Sequence, residues 1–401
     1  MLRGGIHVAM QNKGPMDSIS VPKVVTADSV QAEEVPTIPL GSLQTISTLQ
    51  PEVSVHSVAS TRAVSIPAPL VVQSEEYRRG PVEWLRVWWD GIRPAYLLLS
   101  LLPVVVGSVL AWTQTVSSKT LLGHFHVLHF LATLAAVALL HMGANLVNDY
   151  YDYLRGVDTS NPFGPGGLIQ QGFIAPRSVL SAGLAALGLG TLLGIIVAIA
   201  GGWFVFLFGF IGLGCAYFYS ATSRSLSGLA LGELIAFCIF GPLLTLGAYL
   251  VQVQTGQLNR TVFLYSIPLG LLATAVIHLN DMRDAESDTQ AGKRTLAALL
   301  GLRWSRVLYL LLLSGAYAMI GALGLPHGTP HLLLLTLWAL PTLVVVITGI
   351  LRTDTPAGLH LVMRQTITLE FFFTLWLVVA LAISALWPAI LPHLPSISLP
   401  I

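Results

Sequence analysis

Charged residues are scarce in this chain, and cysteine is almost absent. Only 10% of the 401 residues are charged and the mean hydropathy is +0.75, which excludes an ordinary soluble domain. The two cysteines, Cys215 and Cys238, both fall in apolar runs. We interpret them as small core residues, and they indicate no particular redox compartment. The net charge of +1 gives no indication of nucleic-acid binding, so we expect no nucleic-acid partner.

Long apolar segments replace the missing charge. A helix that crosses a bilayer needs about 20 mostly apolar residues, and nine segments of about that length are present. We therefore predict an all-α, polytopic membrane protein with about nine transmembrane helices and the lipid bilayer as a partner. The segments are 95–112, 127–147, 179–200, 203–219, 229–251, 262–279, 307–325, 332–351 and 367–387.

A pair of glycines separates the third segment from the fourth. Only Gly201 and Gly202 lie between them, and the merged segment would be too long for one span. We therefore predict a tight helical hairpin at these glycines. If the two segments formed a single element, the count would fall to eight.

The positive residues are unevenly divided between the two faces that nine spans create. From Arg78 onward, every lysine and arginine falls on one face except Lys119 and Arg260. By the positive-inside rule the rich face is cytoplasmic. We predict a multi-pass protein of the cell membrane with the N-terminus inside and the C-terminus, residues 388–401, outside.

The first 78 residues differ in composition from the rest of the chain. They are rich in Ser, Thr, Val, Pro and Gln and have no sustained apolar period, which is typical of a disordered segment. No apolar run of a secretory signal follows Met1, so we expect no cleaved signal peptide; a start at Met10 or Met16 is the alternative. We predict a cytoplasmic tail at 1–78, a membrane domain at 79–393 and a C-terminal tail at 394–401.

One acidic pattern occurs twice, each time at the end of a long apolar segment. It is Asn-Asp-x-x-Asp, and it begins at Asn148 and again at Asn280. Carboxylates near a bilayer are costly, so a repeated pair indicates a polar function. Oxygen ligands suit Mg²⁺, which keeps several waters and bridges to substrate phosphates.

The spacing places the carboxylates on shared helical faces. Asp149 and Asp152 are three positions apart, and Asp158 follows a turn at Gly156 and can fold back toward them. In the second copy the positions i, i+3 and i+7 form one stripe. Its members are Asp281, Asp284 and Asp288. Two such stripes facing each other would form a cage for cations.

Basic, aromatic and histidine residues near the motifs suggest contacts with substrate. Lys293 and Arg294 follow the second stripe and could neutralise phosphate oxygens, although anchoring at the cytoplasmic face is an equal alternative. Tyr219 could stabilise a carbocation through its ring, although interfacial tyrosines are common. Arg93 or His278 could meet an aromatic carboxylate or phenol, but a lone histidine within a membrane more often packs between helices.

These motifs resemble those of UbiA-type intramembrane aromatic prenyltransferases, and most closely the 1,4-dihydroxy-2-naphthoate polyprenyltransferases of menaquinone synthesis. The resemblance covers about residues 84–390. The first motif reaches its third acid by the longer spacing to Asp158, as in the naphthoate branch. The loop 159–176 lacks the basic residue often found there, which leaves Arg155, Arg177 and Arg224 as substitutes. The matching stretches are Arg93-Pro94, Asn145-Leu146-Val147-Asn148-Asp149-Tyr150-Tyr151-Asp152, Gly156-Val157-Asp158, Asp281-Met282-Arg283-Asp284-Ala285-Glu286-Ser287-Asp288 and Gly292-Lys293-Arg294-Thr295-Leu296.

The resemblance implies helices around a central cavity that binds Mg²⁺ and a prenyl diphosphate at the cytoplasmic side. Asn145 and Asn148 would orient the diphosphate or its metal ions. The implied reaction prenylates 1,4-dihydroxy-2-naphthoate with loss of its carboxylate and gives a demethylmenaquinol. The implied metal ligands are Asp149, Asp152, Asp158, Asp281, Asp284 and Asp288.

Three other functions would retain the two acidic motifs. A related enzyme could use 4-hydroxybenzoate, homogentisate, haem or chlorophyllide, a UbiA-like terpene cyclase would need no aromatic acceptor, and a transporter could use the acids as a cation site. Against the transporter, the acids cluster on one face beside the basic run, and we expect no comparable charge in the middle of a span.

Overall fold

The computed structural model describes residues 80–116, 123–156, 168–218, 226–325 and 331–390. These residues belong to the compact unit Val72–Ile401, and they form helices and no strand. The tails at 1–78 and 394–401 lie outside the described residues. The helices are α1 (Pro81–Ile92), α2 (Pro94–Thr113), α3 (Val127–Arg155), α4 (Pro176–Gly201), α5 (Trp203–Phe218), α6 (Gly232–Cys238), α7 (Leu244–Val253), α8 (Arg260–Gln290), α9 (Leu296–Gly324), α10 (Leu340–Arg352) and α11 (Pro356–Ile390).

The predicted all-α membrane fold is confirmed. Eight helical segments of the described chain are long and apolar enough to cross a bilayer. The segment predicted at 203–219 corresponds to α5, a shorter apolar helix of 16 residues. Two of the eight segments combine neighbouring helices. They are Gly232–Val253, which joins α6 to α7, and His331–Arg352, which begins with a 3₁₀ helix before α10.

The expected hairpin between the third and fourth segments is present. Helix α4 ends at Gly201 and α5 begins at Trp203. The connecting Gly202 has φ of 86°, in the left-handed region that favours glycine. One glycine therefore reverses the chain between two apolar helices.

Helices α3 and α4 approach each other through glycine. A Cβ atom added at Gly143 would come within 2.9 Å of the carbonyl oxygen of Gly183, and one added at Gly190 within 3.0 Å of the carbonyl oxygen of Ala136. Small residues allow this proximity, which is a common basis of helix association in membranes. The contact fixes α3, the helix that carries the first acidic motif.

Helix α8 forms the centre of the bundle. Leu269, Leu272 and Val276 are fully buried, and α8 continues beyond the predicted apolar segment to Gln290. Helix α3 likewise continues to Arg155. Both acidic motifs therefore lie in helical continuations of the apolar segments.

A π-helical turn interrupts the segment that packs against α8. It spans Ile239–Leu243 between α6 and α7 and contains Pro242. Gly241 lies against α8, since an added Cβ would come within 2.9 Å of Cα of Gly270. Such turns are frequent at functional sites, and this one places Ile239 and Phe240 in the wall of a cavity.

Candidate active site

A cavity of about 250 Å³ lies between α2, α3, α5, the Gly232–Val253 segment and α8. Its walls combine two kinds of side chain. The apolar part includes Leu99, Val137, Leu140, Ile235, Ile239, Phe240, Leu244 and Ile277. The polar part includes Arg93, Asn145, Asn148, Asp152, Asn280, Asp281, Arg283, Asp284, Asp288 and Lys293.

Helix α3 contributes one stripe of this polar part. Asn145, Asn148 and Asp152 all line the cavity, because positions three and four apart share a helical face. The amide of Asn148 donates a hydrogen bond of 2.9 Å to Oδ2 of Asp152. Arg155, one turn further along, lies 3.4 Å from the other oxygen of Asp152.

Asp149 is buried and forms an ion pair with Arg93. Arg93 lies between α1 and α2 with φ of 53° and ψ of 65°, a left-handed conformation that is uncommon for a residue with a side chain. The guanidinium therefore reaches Asp149 from a sharp break between two helices. The sequence places both residues in the site, and the structure brings them together.

Helix α8 contributes the second stripe. Arg283 donates hydrogen bonds to both oxygens of Asp284, at 2.7 and 2.5 Å. The same guanidinium donates to Oδ1 of Asn280 at 3.0 Å and lies 3.2 Å from Nδ1 of His360 on α11. This buried arginine holds Asn280 and Asp284 in fixed orientations.

Lys293 joins the two acidic stripes. Its Nζ lies 3.1 Å from Oδ1 of Asp152 and 3.6 Å from Oδ1 of Asp288. The backbone N–H of Lys293 also donates to the carbonyl oxygen of Asp288 at 2.8 Å. The two motifs therefore meet at one end of the bundle, with a cation between them.

Whether these residues suit Mg²⁺ depends on whether they offer carboxylate oxygens that are not already hydrogen-bonded. Within the described ranges, no group of three or more His, Cys, Asp or Glu side chains is arranged to hold a metal ion. Oδ2 of Asp149 and Oδ2 of Asp281 are buried, and neither has a hydrogen-bond partner among the described residues. Unpartnered carboxylate oxygens are suitable ligands for a hard cation, so these donors fit Mg²⁺ by their chemistry, although they are not gathered into a formed metal site among the described residues.

Comparison with known proteins identifies the family. The model of the UbiA prenyltransferase family matches residues 100–373, which include both acidic motifs. The chain belongs to the UbiA prenyltransferase family. It is therefore a multi-pass membrane prenyltransferase.

Two relatives and one solved structure agree with this assignment. The prenyltransferase is 29% identical over 299 residues to 1,4-dihydroxy-2-naphthoate octaprenyltransferase of Bacillus subtilis, which covers 75% of this chain and 93% of that protein. It is 32% identical over 303 residues to the UbiA prenyltransferase domain-containing protein 1 homolog of Drosophila melanogaster. This alignment covers 74% of this chain and 79% of that protein. An apo structure of a UbiA homolog from Aeropyrum pernix K1 has a TM-score of 0.52 at 15% identity, covering 70% of this chain and 97% of that chain, and shows the same fold.

Some residues predicted for the site lie elsewhere or outside the described ranges. Arg294 is exposed, its backbone N–H donates to the carbonyl oxygen of Gly228 at 3.2 Å, and the residues that line the cavity do not include it. Asp158 and Tyr219 lie outside the described residues. His278 is buried in the packing of α8, where Nδ1 lies 2.8 Å from Glu233 and Nε2 lies 3.1 Å from the carbonyl oxygen of Ser305.

The prediction that no comparable charge lies in the middle of a span is wrong. Glu370 lies in the span Pro356–Trp387 and is fully buried. Both of its carboxylate oxygens lack a hydrogen-bond partner among the described residues. Glu233 is a second buried acid, at the start of the span Gly232–Val253. Because buried acids do lie within the spans, charge content gives no argument against a transporter. Membership of the prenyltransferase family does.

Three residues of the cavity wall were not predicted from the sequence as site residues. Tyr96, Ser100 and His141 all line the cavity. His141 lies four positions before Asn145 on α3, so the helical period that groups the motif residues also points to it. Tyr96 and Ser100 on α2 had no comparable signal, because the stretch of this helix that resembles the family motifs ends at Pro94.

Proposed function

We propose that this prenyltransferase transfers a polyprenyl group from a prenyl diphosphate to 1,4-dihydroxy-2-naphthoate, with decarboxylation to a demethylmenaquinol. One observation carries the proposal: a single cavity has carboxylates, amides and cations at one end and an apolar wall beyond them. A prenyl diphosphate has the same division into a charged head and a hydrocarbon tail. Similarity to the naphthoate enzyme of Bacillus subtilis supports the choice of acceptor.

The polar end would bind the diphosphate. Lys293 and Arg93 line the cavity, and charge-assisted hydrogen bonds from such groups to phosphate oxygens are strong. The amides of Asn145 and Asn148 would orient the head group. When bound there, Mg²⁺ would supply positive charge to neutralise the departing diphosphate. The residues that would hold Mg²⁺ are Asp149, Asp152, Asp281, Asp284 and Asp288.

Departure of the diphosphate begins the reaction. The bond between the first prenyl carbon and the diphosphate oxygen breaks, and both electrons leave with the oxygen. The cations at the polar end stabilise this leaving group electrostatically. The remaining allylic carbocation must meet an aromatic ring before water, and apolar walls formed by residues such as Leu140 and Ile239 would keep water away from it.

Ring attack and decarboxylation complete the proposed reaction. The ring carbon that bears the carboxylate attacks the first prenyl carbon. Loss of carbon dioxide then returns the bonding electron pair to the ring and restores its aromaticity. No redox partner is required, because the electrons released from the carboxylate balance those used to form the new bond.

We also propose that the polar end faces the cytoplasm of a cell that carries the enzyme in its cell membrane. Lys293 and Arg155 lie at this end, at the side of the molecule where the sequence concentrates positive charge. Positive residues are retained on the cytoplasmic side. The prenyl diphosphate and the acceptor would then enter from the cytoplasm or the inner leaflet.

Product analysis with competing acceptors tests the proposed function. Full-length protein in detergent is supplied with Mg²⁺, a labelled prenyl diphosphate, and equal concentrations of 1,4-dihydroxy-2-naphthoate and 4-hydroxybenzoate. We expect the mass of the decarboxylated prenyl naphthoquinol, and its loss when a chelator removes Mg²⁺. Exclusive formation of prenyl-hydroxybenzoate would reject the naphthoate acceptor, and a cyclised prenyl product without acceptor would indicate a terpene cyclase.

A further inference from the structure

A histidine and a serine form a polar pair at the apolar part of the cavity. Nδ1 of His141 lies 2.8 Å from Oγ of Ser100, and both residues line the cavity. Phe240 packs beside the imidazole, with ring centroids 5.6 Å apart and an angle of 31° between the planes. A prenyl tail is hydrocarbon and offers such a pair no hydrogen bond.

The hydrogen bonds of Ser100 determine which nitrogen of His141 carries the proton. Oγ of Ser100 donates to the carbonyl oxygen of Leu97 at 2.9 Å. A hydroxyl has a single proton, so Ser100 accepts from His141, and Nδ1 of the neutral imidazole is the donor. Nε2 then carries a lone pair and no proton. It is a hydrogen-bond acceptor.

This nitrogen is available for a ligand. Among the described residues, the hydrogen bonds of His141 involve Nδ1 and leave Nε2 without a protein donor. His278 provides the contrast, because both of its nitrogens are bound, to Glu233 and to the carbonyl oxygen of Ser305. His278 is thus a satisfied packing residue. His141 has a vacant acceptor, which is costly to cover with hydrocarbon.

The position of His141 on α3 relates it to the motif. His141, Asn145, Asn148 and Asp152 occupy positions i, i+4, i+7 and i+11, and all four line the same cavity. At 1.5 Å per residue, His141 lies about 10 Å deeper along α3 than Asn148. It therefore lies beyond the polar end, in the apolar part of the cavity wall, where an acceptor ring would lie next to the first prenyl carbon.

We propose that Nε2 of His141 accepts a hydrogen bond from a hydroxyl of the aromatic acceptor, with Ser100 fixing the tautomer and Phe240 packing against the bound ring. This inference rests on the proposed function, because it assumes a hydroxylated aromatic acceptor. It adds a residue that selects the acceptor by its hydroxyl group. The prenyl diphosphate does not contact this nitrogen.

Equilibrium binding of three naphthoates tests the proposal without any need for turnover. The ligands are 1,4-dihydroxy-2-naphthoate, 1-hydroxy-2-naphthoate and 4-hydroxy-2-naphthoate, and binding is followed by quenching of tryptophan fluorescence in the full-length protein. In the native protein, we expect one of the monohydroxy compounds to bind roughly tenfold more weakly than the diol, the size of one buried hydrogen bond. In His141→Phe, which keeps a ring beside Phe240, the difference should vanish.

Two further variants and the kinetics separate the proposal from a structural role. His141→Gln offers an amide oxygen in place of Nε2 and should retain part of the difference between ligands. His129→Ala is the matched control, because His129 is on the same helix but does not belong to the cavity wall. This variant should retain the full difference in affinity between the ligands. The KM for prenyl diphosphate should stay within about twofold in every variant.

Two outcomes would overturn the proposal. A difference between ligands that persists in His141→Phe would show that His141 does not read the hydroxyl. A rise in the KM for prenyl diphosphate without a change in the affinity for the acceptor would place His141 in the binding site of the prenyl tail. Failure of the proposed function is distinct from both, because it appears in the native protein as binding of all three naphthoates without prenylated product.

Discussion

Nζ of Lys293 lies 3.1 Å from Oδ1 of Asp152. The lysine follows α8, whereas the aspartate lies near the end of α3, and the same ammonium group is 3.6 Å from Asp288. One cation therefore compensates a carboxylate from each acidic motif. In the proposed reaction, the diphosphate would compete with these carboxylates for Lys293, and metal ions would compete with Lys293 for the carboxylates. This residue therefore connects substrate binding to the arrangement of both motifs.

Removal of Lys293 is expected to weaken the handling of prenyl diphosphate. Lys293→Met leaves Asp152 and Asp288 without their shared cation and removes a donor to phosphate, so kcat/KM for prenyl diphosphate should fall by roughly 10- to 100-fold. Steady-state kinetics at saturating acceptor measure this. Arg303→Met is the control, since Arg303 is exposed on α9, and it should stay within about twofold.

The same assay decides the role of Arg294. Because its side chain is exposed and outside the cavity wall, we expect Arg294→Met to behave like Arg303→Met. A loss as large as that of Lys293→Met would support the sequence-based assignment of Arg294 to the substrate. The cavity would then extend beyond the wall described above.

Loss of single carboxylates is expected to abolish transfer. Asp149→Asn, Asp152→Asn, Asp281→Asn and Asp284→Asn each weaken electrostatic stabilisation worth several kcal/mol, so kcat should fall by on the order of 100-fold or more. Glu286→Gln is the matched control, because Glu286 is exposed on the same helix as Asp281 and Asp284. Its effect on kcat should be small. Equal effects in all five variants would contradict the two-motif site.

Glycine at the contact of α3 with α4 is expected to be required for stability. Gly143→Ala places a Cβ within 2.9 Å of the carbonyl oxygen of Gly183, and such overpacking costs about 1–3 kcal/mol. Gly188→Ala is the control on α4, since an added Cβ there meets no atom within 4 Å. Thermal unfolding in detergent should show a lower Tm for Gly143→Ala alone. Equal Tm values would show that the contact between α3 and α4 tolerates a methyl group at Gly143.

The orientation in the membrane is expected to protect the polar end from outside reagents. In a chain with Cys215→Ala and Cys238→Ala, a cysteine at Gln290 should resist an impermeant thiol reagent in intact cells, whereas one at Gln257 should react. Both positions are exposed. Gln290 is the last residue of α8, and Gln257 lies just before its first residue, Arg260. Reaction at Gln290 together with protection at Gln257 would invert the proposed topology.

Most of the fold could be predicted because its signals are local. An apolar run of sufficient length specifies a membrane helix wherever it occurs, since backbone polar groups within a bilayer must bond internally. The reversal at Gly202 was likewise predictable from two adjacent glycines. The sequence could not define where α3 and α8 end, because their last turns are polar and are stabilised by contacts across the bundle, such as that of Lys293 with Asp152.

The acidic residues of the site could be identified from the sequence alone. The spacing of Asp281, Asp284 and Asp288 fixes one stripe because the α-helix has a constant period. The pairing of cations with carboxylates depends on the tertiary structure. Arg93 meets Asp149, Lys293 joins two motifs, and Arg294 is exposed and outside the cavity wall. These pairings, like that of Ser100 with His141, depend on how distant helices cross and rotate against each other. No local pattern encodes that geometry, because it results from packing over the whole bundle.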